Sequence, residues 1–408
     1  MKIKVLHIIG GRSTDGAYKG VNILHQALLE SNIESKILND VQPKINHADI
    51  KIFDKNIIFI NKNFYTKIIN KTFIYLEKIL KSIFLHSPRS TFTLGFFGFD
   101  ITKVKEYSDA DIVHIHWLSQ GFINLKSLSK IDKPVIWTMR DMWPFTGGSH
   151  YTMDFEKFEN SRLSKIIQKF KKKNYNKNFH FVAISDWLKA RAEKSYILKD
   201  YDIKLIYNNI DLRDYNLIKQ DTARSILKIQ TKKKIILYGA QNPQSKRKGW
   251  EIFVETLKSL DKSKYFILIF GNFWSKKILD NIGIEYKNMG FIDDKKMLNS
   301  IYACADIFVA SSIQEAFGKT WAEAMACETP VVCFNNTSAS EVVEHKINGY
   351  VARSFDSIGL KEGIEWLSSE IEKGNYKRDN ARNNILNFDA KFISKKYIDL
   401  YKNVLNNN

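Results

Sequence analysis

Cysteine is scarce. Cys304, Cys327 and Cys333 are the only three in 408 residues, scattered too widely for a disulfide framework or a zinc spacing. That pattern fits a reducing cytoplasm. A signal peptide is missing as well, because Met1-Lys-Ile-Lys leads directly into a strand pattern. The uncharged stretch from Ile112 to Leu125 is too short to span a bilayer. After the first strand the glycines do not fit Gly-x-Gly-x-x-Gly, which argues against a nicotinamide site. No helix-turn-helix, zinc or RNA-module signature accompanies the positive charge, so nucleic acid is not the expected partner. What is present, 44% apolar and 13% aromatic residues, excludes a disordered chain, and the length suits two domains of ordinary size.

The net charge is +19 and unevenly placed. Residues 1–210 hold 33 Lys and Arg against 20 Asp and Glu; residues 211–408 hold 30 against 24. Such a field suits an anionic partner: nucleic acid, a membrane or a phosphorylated substrate. Many Lys, Asn and Ile residues also fit drift in an AT-rich genome. Two basic stretches stand out. Over 62–86, Tyr65, Ile69, Phe73, Leu76, Leu80 and Ile83 recur at helical steps among Lys67, Lys71, Lys78 and Lys81. This amphipathic helix either packs on its own domain or lies on an anionic membrane surface. The second, Arg162 to Lys177, reads as a helix with a solvated basic face.

Strand, loop and helix signals alternate along the chain, as a doubly wound α/β fold requires. A buried-type strand, Lys2–Ile9, meets Gly10-Gly11 and then a helix over Ala17–Glu30. Further strands read over 111–117, 134–139, 179–184 and 204–207. Asp109-Ala-Asp111 imitates a metal-binding pair but precedes its strand, so it reads as a helix-to-strand turn. His114 and His116 share one side of a strand, which is weak evidence for metal and suits contact with substrate hydroxyls better. Asn209 stands where positive φ is expected. Residues 212–233, charged and poor in apolar side chains, read as an interdomain linker. A second series opens with the strand Lys234–Tyr238, followed by Gly239 and a basic loop ending Arg247-Lys248-Gly249.

The densest chemistry lies in Ser311–Glu323, between the strand pattern Asp306–Ala310 and a helix. Gly318 at the join lets a ligand approach the backbone, and the helix start forms an anion site. Glu315 and Glu323 bracket it as acceptors for sugar hydroxyls. Glu-x7-Glu, with Phe317-Gly318 inside it, resembles the donor-site signature of glycosyltransferase family 4, whose members are retaining enzymes of the GT-B fold. The loop Arg140-Asp141-Met-Trp-Pro-Phe-Thr-Gly-Gly-Ser-His150-Tyr151 resembles a subset that builds bacterial exopolysaccharides and O-antigens. That subset usually has His where this chain has Arg140. Asn208–Asp211, Met289–Ile292, Ser340–Val343 and Asn348–Tyr350 extend the resemblance over nearly the whole chain.

The resemblance implies two Rossmann-like domains facing across a cleft: 1–210 on the acceptor side, with 388–408 crossing back to it, and 211–387 for the donor. It implies that Glu315 contacts the donor sugar, Glu323 the ribose, and Arg247 and Lys248 the diphosphate. Gly10, Gly11, Gly239, Phe317, Gly318, Lys319 and Thr320 would line the donor, and Phe291 and Ile292 the base. His116, Arg140, Asp141 and His150 fall on the sugar or acceptor side. The expected donor is a nucleotide-diphosphate sugar, UDP-linked before GDP-linked, with no metal or cofactor. The expected acceptor is a lipid-linked glycan at the inner face of the cell membrane. A sugar-nucleotide epimerase and a basic nucleic-acid-binding protein are the alternatives.

Overall fold

Isoleucine, valine and leucine fill the strands on both faces, the pattern of a parallel sheet covered by helices on each side. The computed structural model describes residues 2–41, 54–60, 64–84, 91–273, 279–353 and 355–407. The chain divides into two compact units, Met1–Asn209 with Ala390–Asn408, and Ile210–Asp389. In the first unit the strands are β1 (Lys4–Ile8), β2 (Glu34–Asn39), β3 (Ile57–Phe59), β4 (Ile112–Ile115), β5 (Val135–Met139), β6 (Phe179–Ala183) and β7 (Ile203–Leu205). They lie in the order β3-β2-β1-β4-β5-β6-β7. The second unit has β8 (Lys234–Gly239), β9 (Tyr265–Phe270), β10 (Tyr286–Asn288), β11 (Ile307–Ala310), β12 (Val331–Phe334) and β13 (Gly349–Ala352). Their order is β10-β9-β8-β11-β12-β13.

Every pairing between these strands is parallel. Each sheet reverses its direction of growth once, between β1 and β4 and between β8 and β11. Ligands of such sheets bind at the carboxyl ends beside the reversal.

The first core joins Val5, Leu24, Leu28, Ile112, Ile136 and Val182 to Ile393, Tyr397 and Tyr401 of the helix Ala390–Asn406. The second joins Ile236, Ile267, Ile269, Ile307 and Val332 to Leu360 and Ile364. Each such side chain contributes about 1.5–3 kcal/mol on burial, which fixes the strand ends that carry the site.

Several expectations change. Residues 212–233 are no linker: they contain a helix, Gln220–Ile226, inside the second unit. Arg224 pairs with Asp306 at 2.7 Å and Gln220 donates to the Ala305 carbonyl. Polar anchoring adds to the few apolar side chains the segment buries, among them Ala223, Leu227 and Ile229. Asn209 does not adopt positive φ. Within the helix Arg162–Asn174 the basic face is not wholly solvated, since Lys171 is fully buried. The stretch over 62–86 forms the helix Phe64–Phe84. Its Glu77 is buried and accepts the N–H groups of Leu94 and Gly95, while Phe64, Tyr65, Ile68, Ile69 and Tyr75 face outward.

Candidate active site

In the second unit the loops after β8 and β11 are fastened together at the sheet reversal. Gly249 has φ +66°, and a Cβ there would lie 2.0 Å from the Ser311 carbonyl oxygen, so only glycine fits. The Ser311 hydroxyl lies 2.9 Å from the Lys248 carbonyl oxygen, and the Ile313 N–H donates to that of Arg247 at 2.8 Å. This stapling sets Arg247 and Lys248 against Glu315. Arg247 Nη1 is 3.1 Å from Glu315 Oε2, and Lys248 Nζ bonds the same oxygen. Burial opposes the charge on Glu315, but the two cations prevail and hold its carboxyl down at about 2. Burial draws the Lys248 ammonium below its usual value while Glu315 pulls it back up. The result is a partly buried group of two cations and one anion.

The helix Lys319–Ala326 starts at Gly318, whose φ is +83°. The space beside Gly318, expected to admit a ligand, is taken by the chain itself. A Cβ there would meet Trp321 Nε1 at 2.4 Å and Glu315 Cγ at 3.1 Å. Trp321 Nε1 donates to the Phe317 carbonyl at 2.5 Å. Phe317 is buried between Trp321 and Phe388, so its ring supports the loop from behind instead of lining it. Glu323 accepts from the Tyr302 hydroxyl at 2.7 Å, and the Tyr215 hydroxyl bonds it too. Burial, with the Glu323 charge beside them, raises both phenols well above their usual range, so they stay protonated and donate. Lys319 Nζ lies 3.9 Å from Glu323 Oε1. Lys319 and Thr320 are half-buried on the first helical turn, and Phe291 is exposed beside half-buried Ile292. At Gly239 a Cβ would strike the Phe270 ring.

In the first unit Gly10 and Gly11 lie at the end of β1. The Gly10 N–H donates to the Trp117 carbonyl at 2.8 Å, and a Cβ on Gly10 would lie 2.4 Å from Ser119 Oγ. Gly11 has φ +92° and donates to Asp40 Oδ1 at 2.9 Å. Asp40, unnoticed in the sequence, also accepts from Ser119 at 2.5 Å. The loop 140–151 locks itself. Asp141 accepts from Trp117 Nε1 and lies 2.6 Å from His150 Nδ1, while His150 Nε2 is 3.0 Å from the Thr93 hydroxyl. Beneath it Lys171 donates to the Trp143 carbonyl and sits 3.7 Å over the Trp143 ring; burial lowers its ammonium to about 7.

The Asp109–Asp111 turn is structural, with Asp111 accepting from the Lys4 N–H at 2.8 Å. Among the described residues one trio could approach a metal: His7, His114 and His116, with ligand atoms within 4.8 Å of one another. His114 has both nitrogens engaged, one 2.7 Å from the Tyr401 hydroxyl and one 2.8 Å from the Thr138 hydroxyl. It is therefore bound to the fold and not to a substrate hydroxyl. His7 Nδ1 lies 2.9 Å from His116 Nε2. With both His114 nitrogens committed to hydroxyls, the ring nitrogens left without partners in the trio are His7 Nε2 and His116 Nδ1, short of the three or four ligands a zinc site uses. His7 faces His114 across the β1–β4 register, a pairing readable only once the strand order is known.

Comparison with known proteins agrees with this architecture. Residues 73–214 match the family described as Glycosyltransferase Family 4, and residues 219–384 match Glycosyl transferases group 1. The uncharacterized glycosyltransferase MJ1607 of Methanocaldococcus jannaschii is 23% identical over 306 residues, 72% of this chain and 75% of that one. An uncharacterized 41.2 kDa protein in the cps region of Klebsiella pneumoniae is 23% identical over 333 residues, 79% of this chain and 87% of its own. The fold is similar to that of Anabaena Alr3699/HepE, solved in complex with UDP and glucose, at TM-score 0.68 and 15% identity, covering 98% of this chain and 100% of that one. Two parallel-sheet Rossmann-like units, a Glu-x7-Glu loop fastened to a basic loop at the sheet reversal, and family matches over both units establish that the chain belongs to the family 4, group 1 glycosyltransferases.

Proposed function

We propose that this enzyme transfers a sugar, with retention, from a nucleotide-diphosphate sugar to a lipid-linked bacterial surface glycan such as an O-antigen, capsule or exopolysaccharide. The observation that carries the donor class is the Arg247–Lys248–Glu315 group at the β8–β11 reversal. Two partly buried cations on a fastened loop suit a departing diphosphate, whose charge grows in the transition state. No metal is required for that role. Glu323, held by Tyr302 and Tyr215, presents its remaining lone pairs to the ribose hydroxyls. Glu315 keeps the two cations aligned and reaches the donor sugar.

In the transfer, the anomeric C–O bond to phosphate breaks while the acceptor oxygen bonds the same face of that carbon. The acceptor hydroxyl proton passes to the departing phosphate oxygen. UDP is favoured as the carrier because the structural relative HepE holds UDP and glucose. A surface-glycan product is supported by the relative from a cps region.

The acceptor side belongs to the first unit, at the inner face of the membrane. Among the described residues no helix is long and apolar enough to cross a bilayer. The helix Phe64–Phe84, with Lys67, Lys71 and Lys78 among outward-facing Phe64, Tyr65, Ile68 and Ile69, suits an anionic lipid surface. A thermal-shift panel of UDP-, GDP-, ADP- and CMP-sugars tests the donor class. A ligand at 100 times its Kd stabilises by about 2.7 kcal/mol. A rise with one base series is expected; no shift with any nucleotide sugar would contradict the proposal.

A further inference from the structure

Among the described residues the guanidinium of Arg140 has no carboxylate counter-ion. It follows β5 at the carboxyl edge of the first sheet and is 8% exposed. Its Nη1 donates to Asn208 Oδ1, and its Nε has no partner. Burial draws it below its usual value, and among the described residues no carboxylate offsets that. A buried cation without an anion is costly, so its persistence calls for an occupant. The chain leaves room for this side chain: a Cβ on Gly20 would lie 2.7 Å from Arg140 Nη1.

Two further unmatched atoms belong to the same cluster. His7 Nε2 and His116 Nδ1 are buried without partners, and both rings feel the Arg140 charge. Burial keeps both imidazoles neutral, and one proton lies between His7 Nδ1 and His116 Nε2. If His7 donates, His116 Nδ1 must carry a hydrogen; if His116 donates, His7 Nε2 must. Either tautomer leaves one unpartnered N–H donor within the electrostatic reach of the guanidinium. The three residues sit at the carboxyl ends of β1, β4 and β5, which are neighbours in the sheet. Unlike the two neutral imidazoles, Arg140 supplies a permanent charge.

We propose that Arg140, with the His7–His116 pair, binds an oxyanion of the substrate, a carboxylate or a phosphate, and so selects an acidic sugar or a phosphorylated acceptor. This deepens the glycosyltransferase reading and rests on it. The test titrates the full chain with donor pairs differing in one carboxylate, UDP-glucuronate against UDP-glucose and GDP-mannuronate against GDP-mannose, and separately with a short prenyl diphosphate. One arm should lose about tenfold or more in affinity in Arg140→Gln, the scale of a charge-assisted hydrogen bond. Loss confined to the uronate donors places the anion on the sugar; loss confined to the prenyl diphosphate places it on the acceptor. Arg140→Lys, which keeps the charge, should retain part of the affinity and serves if Arg140→Gln fails to fold. Unchanged binding in every arm, or equal loss for the neutral and acidic member of each pair, overturns the proposal. The nucleotide-sugar panel above would still stand in that case, so the two readings fail separately.

Discussion

Glu315 makes ionisation a stability term. Its carboxyl is held at about 2 by Lys248 and Arg247, against about 4.5 for a free glutamate. Because the folded value is the lower one, the stabilisation is complete above about pH 4.5 and is lost as pH falls towards 2. It amounts to at most about 3 kcal/mol. Melting curves of wild type and Glu315→Gln between about pH 6 and pH 2 should therefore converge as acid protonates the carboxylate. Parallel curves would remove the ion pair from the stability of the loop. Glu323→Ala should weaken nucleotide binding about ten- to a hundredfold, the loss of about 1.5–3 kcal/mol of charged hydrogen bonding; unchanged affinity in calorimetry would take Glu323 out of the ribose site. At this scale the sequence already displayed Glu315, Glu323, Arg247 and Lys248, because their spacing is local. It did not display Asp40, His7 or the Tyr302 hydroxyl. Their roles depend on neighbours 79, 109 and 21 residues away.

Two elements carry the site's rigidity and its setting. The contact of Gly249 with Ser311 fastens the loops after β8 and β11, and no L side chain fits at +66° against a carbonyl 2.0 Å away. Gly249→Ala should cost about 1–3 kcal/mol, the usual penalty of overpacking, read as a lower denaturant midpoint with reduced nucleotide affinity. An unchanged midpoint would mean that the two loops move independently. The helix Phe64–Phe84 was legible from its apolar spacing, but periodicity alone does not say which face is covered. In the fold Glu77 faces inward and the aromatic end faces outward. Replacing Lys67, Lys71 and Lys78 by Gln should reduce sedimentation with anionic liposomes at low salt and leave nucleotide binding intact, since each nearby cation contributes about 1 kcal/mol. Liposome binding that ignores these changes would point to another surface. The helix Gln220–Ile226 escaped notice because it is short and buries only Ala223 within its span, while Arg224 and Gln220 anchor it through Asp306 and backbone carbonyls.

For the whole molecule, alternating strands and helices in the sequence are enough to call for two doubly wound sheets, and both reversals lie where the glycine loops are. What that alternation leaves open is the strand order, and with it the burial of His7 against His114 and His116. The proposed stabilisation of the departing diphosphate by Arg247 and Lys248 predicts that excess EDTA leaves transfer intact; abolition by chelator, with recovery on adding Mn²⁺ or Mg²⁺, would require a metal instead. The most direct measurement of the central claim is calorimetric binding, in EDTA, of the preferred nucleotide sugar, its nucleoside diphosphate and its nucleoside to wild type and Lys248→Ala. The account predicts that Lys248→Ala weakens the diphosphate and the nucleotide sugar by about tenfold or more while nucleoside affinity stays the same. Equal affinities for the diphosphate in both proteins, or equal losses for all three ligands, would contradict it.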